Sequence, residues 1–148
     1  MLYSLDRYTV LSRGSCLAKP TKEDADLLLK LLAIMTSDED HKKAMIWFQE
    51  EFEEMSYEAF KKKYPHGSEG NRNFNTYIGY WEVMGTLVAN GLLSEELVFD
   101  MFLVPWKKAK PIVHGMRKEI KEPRLYENFE ALSEKLVEWE KKHPPKFQ

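Results

Sequence analysis

Residues 75–102, NTYIGYWEVMGTLVANGLLSEELVFDMF, carry so dense a load of apolar and aromatic side chains that any fold must first provide for them. A membrane helix needs about 18 or more consecutive apolar residues. The uncharged part of this run is only the 12 residues Val83–Ser94, closed by Glu82 on one side and by Glu95 and Glu96 on the other, and it contains Asn90 and Gly91. Protein must therefore cover it. Phe74, Tyr77, Ile78, Trp81, Met84, Gly85 and Val88 recur at helical steps, while Tyr80, Val83 and Leu87 form a second apolar row. A helix apolar on two sides has to be packed on two sides. The pattern predicts a central helix over residues 72–90. Gly85, in its middle, is about 1 kcal/mol less favourable there than alanine, which is most easily offset if a neighbouring helix approaches at that point.

The flanking segments supply the cover. Thr21 followed by Asp24 is an N-cap arrangement, and KEDADLLLKLLAIMT presents Leu27, Leu28, Leu31, Leu32 and Met35 on one broad face. SDEDHKKAMIWFQEEFEEM starts with Ser37 as a cap and three acids suited to a helix start, and its inward stripe is Ala44, Met45, Phe48, Phe52 and Met55. Ser56 opens a short helix that Pro65 ends, and PHGSEGNRN (65–73) reads as the longest loop. Gly91 suits a left-handed helix end, and Ser94 can cap EELVFDMFLV. Pro105 begins a helix running to Glu122 that Pro111 should bend. A last helix spans about 124–142 through Leu125, Phe129, Leu132, Leu136 and Trp139.

The fold class that follows is all-α: a single compact bundle of five to seven helices around the central apolar helix, with Trp47, Trp81, Trp106 and Trp139 in or beside the core. At 148 residues one domain suffices. Its expected limits are an irregular segment over 1–20, a helical domain over 21–142 and a frayed tail over 143–148. The start of the chain lacks the basic and apolar pattern of a signal peptide, and Cys16, the single cysteine, can form no intrachain disulfide. A cytoplasmic location is the expectation.

The second half resembles a prokaryotic all-helical family of domains of unknown function. The features shared with it are the pair Trp81–Glu82, the turn and helix GLLSEELVFDMF, the following Trp106, and PRLYENFEALSEKL, together covering roughly residues 73–140. The resemblance implies a helical fold. It implies no activity and carries over no catalytic residue.

Few residues are candidates for chemistry. Glu82 beside Trp81 forms a possible buried polar site, since a desolvated carboxyl can move protons at raised pKa; the alternative is an acid satisfied by a group on another helix. His41, His66, His114 and His143 are scattered without metal-binding spacing, and neither phosphate loop nor nucleophile elbow is present. No cofactor is expected. Lys107, Lys110, His114, Arg117, Lys118 and Lys121 recur at steps of three and four beside an apolar row, so residues 106–124 are a possible basic binding face. Residues 1–105 hold 11 Lys and Arg against 17 Asp and Glu, whereas residues 106–148 hold 11 against 7. GLLSEELVFDMF can imitate a DNA-reading helix-turn-helix, but its second helix is acidic. Three functions stay open: a non-enzymatic helical module binding a protein partner or itself as a homodimer, an anion-surface binder for nucleic acid or acidic lipid through 106–124, and an enzyme using Glu82 as acid or base.

Overall fold

Ser68 starts the longest helix. Its hydroxyl accepts the Asn71 N–H at 3.3 Å and Glu69 favours the positive end, so the helix spans Glu69–Ala89 and begins inside the segment read as loop. Gly70 in its first turn is a packing glycine: an added Cβ would fall 2.2 Å from Cδ1 of the Tyr64 ring. The computed structural model describes residues 18–147, and in it seven α-helices follow one another. They are α1 (Lys22–Ser37), α2 (Glu39–Ile46), α3 (Tyr57–Lys63), α4 (Glu69–Ala89), α5 (Glu95–Met101), α6 (Trp106–Ile120) and α7 (Glu127–Lys142). Among the described residues there is no strand, and no helix is long and apolar enough to cross a membrane. Of the segment 1–20 expected to be irregular, residues 1–17, Cys16 among them, lie outside the described residues.

Helix α4 is the axis of the bundle. It packs mainly against α7 on one side and α2 on the other, α6 rests on α3 and α7, and α1 lies outside α2. Phe74, Tyr77, Ile78, Trp81, Met84 and Val88 are all buried, and an aromatic cluster fills the space around them. Phe129 stacks on Trp81 at 5.9 Å between centroids, and the Trp106 ring meets Phe129 edge-on at 5.0 Å. Trp47 and Trp106 are buried as well, and Trp139 is half-buried against the core.

Other boundaries also differ from the pattern, and α6 stops at Ile120 instead of Glu122, with Lys121 left-handed at φ 56°. Asp38, not Ser37, caps α2, its Oδ1 accepting the N–H groups of Asp40 (3.0 Å) and His41 (3.2 Å); Ser37 is the last residue of α1. The expected long second helix widens into a π turn at Trp47–Glu51 and then becomes extended. The i→i+5 bond from the Phe52 N–H to the Trp47 carbonyl (2.9 Å) is its signature. Widening there lets Trp47, Phe48 and Phe52 all reach the core. The last helix starts at Glu127, because Arg124–Tyr126 form a turn ending in left-handed Tyr126 at φ 55°. Gly91 has the expected left-handed conformation at φ 68°.

Candidate functional site

Glu82 is one turn before Gly85 on the same side of α4, and both meet the start of α7. A Cβ at Gly85 would stand 2.3 Å from the Asn128 carbonyl oxygen and 3.0 Å from the Phe129 nitrogen, so only glycine lets the backbones come this close. Tyr126, the residue before α7, contributes no side-chain cap. Glu82 takes over that task from 46 residues away. Its Oε2 accepts the Phe129 N–H at 2.8 Å, and its Oε1 accepts the Asn128 N–H at 3.3 Å and the Asn128 side-chain amide at 2.8 Å. A carboxylate on the orphan N–H groups of a helix start also meets the positive end of the helix dipole. Trp81 enters the aromatic cluster, where its ring stacks on that of Phe129, so the two neighbours hold the same residue of α7, one by its ring and the other by its N–H.

The basic residues of α6 divide into two groups. Lys107, Lys110 and Lys118, with Lys121 just past the helix end, are exposed, and among the described residues none of them has an ion-pair partner. His114 and Arg117 instead converge on Glu130 of α7, with His114 Nε2 at 2.8 Å and Arg117 Nη1 at 2.5 Å from its oxygens. Arg117 Nε also donates to the Leu125 carbonyl at 2.8 Å, which pins the turn before α7. Burial works against ionising the Glu130 carboxyl, but the bonds from Arg117 and His114 outweigh it and hold that carboxyl below its usual range. Lys118 and Lys121, with His114, Arg117 and Pro123, bound a shallow recess of about 450 Å³ at the end of the row.

Two functional-looking residues escaped the sequence pattern. Lys108 faces inward from α6, and its Nζ donates to the carbonyls of Phe48 (3.0 Å) and Phe52 (2.6 Å), satisfying oxygens at the end of the π turn. Its neighbours in the Lys-rich run gave no local sign of this. His41 is buried between α1 and α4. Its Nδ1 lies 3.0 Å from the Met35 carbonyl and must carry the proton there, since a carbonyl only accepts. Nε2 is buried with no hydrogen-bond partner among the described residues, and the Tyr80 ring lies 4.1 Å away.

Adding a second proton would bury an unpartnered N–H, and desolvation pushes the His41 imidazole below its ordinary value, against the opposing effects of the Met35 carbonyl and the Asp38 charge. The groups facing it are Asp38, Tyr77 and Tyr80. A histidine whose folded pKa lies below its unfolded value of about 6.5 binds more protons when unfolded. Its contribution is complete above about pH 6.5 and is lost as pH falls from there through the lowered folded value. Urea denaturation at pH 7 and pH 5 should show lower stability at pH 5, and His41→Gln should flatten that difference. An unchanged slope in the variant would assign the acid sensitivity elsewhere.

At the far end of the molecule, α5 and the last turns of α7 border a groove of about 810 Å³. Phe99, Leu103, Trp139, Pro144 and Pro145 line it together with the charged Glu96, Asp100, Glu140, Lys142 and Lys146. The Trp139 ring stacks on His143 at 4.2 Å. Leu103 is 91% exposed, as is Phe147 beyond the prolines.

No curated protein and no solved structure matches the chain. Residues 20–136 match the family model described as Domain of unknown function (DUF4760), so the likeness reaches back over the first helices as well as the second half, and the chain belongs to that family.

Proposed function

We propose that this protein is a non-enzymatic helical interaction module, and that the groove between α5 and the end of α7 is its protein-binding surface, with a second copy of the chain as the first partner. The observation that carries this is the exposure of Leu103 in the groove that Phe99 and Trp139 also line. Leu and Phe side chains left almost fully in water at one end of a bundle favour burial against another surface at about 25 cal/mol per Å². The apolar surplus of α4 does not serve this purpose, because α2 and α7 absorb most of it: Tyr80 donates to Asp38 at 2.5 Å, and Val83 is the residue of its second row that stays exposed. Glu82 is engaged by three donors on α7, which favours a structural role over proton transfer.

Light scattering on the wild type and on Leu103→Asp tests the proposal. The wild type should show a concentration-dependent mass approaching two chains, and the variant the mass of one. A wild type that stays monomeric at all concentrations, and that captures the same proteins from extract as Leu103→Asp, would contradict it.

A further inference from the structure

Among the described residues, the lysines on the outer face of α6 have no ion-pair partner. Lys107, Lys110 and Lys118 lie on one side of the helix, opposite Trp106, Ala109, Ile112 and Val113, which are buried, and Lys121 follows as the left-handed cap at the helix end. At 1.5 Å per residue the helical part of the row, from Lys107 to Lys118, extends about 17 Å. Two acids of this region are paired elsewhere: Glu119 accepts from the Tyr57 hydroxyl and from Lys61 at 3.1 Å, and Glu130 holds His114 and Arg117, whereas Glu122 accepts the backbone N–H of Arg124 at 3.0 Å. The row ends at the recess of about 450 Å³ bounded by Lys118 and Lys121.

The chemistry of this face narrows its partner. A helix that lies in an acidic membrane inserts its apolar side, and Trp106, Ala109, Ile112 and Val113 of α6 are taken up by the core, which leaves Ile120 as its exposed large apolar residue. Single-stranded nucleic acid is held largely by stacking bases on aromatic rings, and Trp106, the aromatic residue of α6, is buried. Bases in a groove are read by Arg, Asn or Gln forks, whereas the exposed row is lysine alone. Compact ammonium charges spaced along a rigid rod suit the evenly spaced phosphates of a duplex. We infer that the Lys107–Lys121 face of α6 binds the phosphate backbone of duplex nucleic acid without regard to sequence. This surface is separate from the α5–α7 groove, and neither depends on the other.

Fluorescence anisotropy of the full chain with a labelled 20-base-pair DNA duplex, across a salt series, is the test. Four phosphate contacts predict that log K falls against log salt with a slope of about −3.6. Lys107→Gln/Lys118→Gln should flatten the slope by about two and weaken low-salt binding about tenfold or more. A control with the same charge change elsewhere, Lys22→Gln/Lys43→Gln, should leave both unchanged, and thermal melts confirm that both variants fold. Duplexes of unrelated sequence should bind alike. Equal losses in the control would reduce the effect to net charge and overturn the assignment. So would tighter binding to a single strand of the same length, binding only to vesicles of phosphatidylcholine with phosphatidylserine, or no binding to the duplex at low salt.

Discussion

Gly85→Ala is expected to destabilise the protein by about 2–4 kcal/mol, read as a lower urea midpoint with an unchanged slope. Helix propensity alone predicts the opposite sign, a gain of about 1 kcal/mol. Packing decides. The new methyl would sit 2.3 Å from the Asn128 carbonyl oxygen and 2.6 Å from its carbon, and both are backbone atoms of the first turn of α7. Overpacking typically costs about 1–3 kcal/mol, and here relief requires moving a helix rather than rotating a side chain. That displacement also pulls the Asn128 and Phe129 N–H groups away from Glu82. A variant more stable than the wild type would mean that α7 does not lie against α4 at Gly85.

Glu82→Ala is the second large effect, expected at about 2–3 kcal/mol. Loss of an N-cap usually costs about 0.5–2 kcal/mol, and Glu82 adds a third donor and a full negative charge at the helix start. Glu82→Gln keeps one carbonyl oxygen for a backbone N–H and should lose only about 1 kcal/mol. The two residues share one joint, so their effects should not add: in the Gly85→Ala background Glu82→Ala should be milder than in the wild type. Full additivity in that cycle would separate the capping bonds from the close approach.

Local pattern revealed the parts of the fold whose causes are local. The steps of three and four in α4, the Thr21–Asp24 capping box (Asp24 N–H to Thr21 Oγ1 at 3.1 Å, Thr21 N–H to Asp24 Oδ2 at 2.8 Å) and the glycine turn at 91 all depend on residues within a few positions of each other. Gly85 signalled a close approach because a mid-helix glycine demands a reason. Its partner was not legible, since Asn128 lies 43 positions away in sequence. The π turn escaped for a related reason: Phe48 and Phe52 fit an ordinary helical stripe, and only the packing of Trp47 beside them forces the wider turn. Asp38 displaced Ser37 as a cap because its carboxylate serves two N–H groups and the Tyr80 hydroxyl together.

The candidate surfaces divide along the same line. The lysine row of α6 was visible from spacing, because exposed charge needs no partner to be recognised. What spacing could not show was that His114 and Arg117 turn to Glu130, or that Lys108 reaches back to carbonyls 56 and 60 positions earlier. The groove beside Trp139 is equally non-local, being assembled from α5, the connection at Leu103 and the chain after α7.

Native-state hydrogen exchange of the wild type and Glu82→Gln reports most directly on whether α4 is the buried axis on which α7 is seated. The amides from Tyr77 to Val88 should be among the slowest in the protein, opening only with global unfolding, and Asn128 and Phe129 should be protected in the wild type and exchange faster in the variant. Rapid exchange along α4, or Asn128 and Phe129 amides indifferent to the loss of the carboxylate, would show that the helices are not joined in this way.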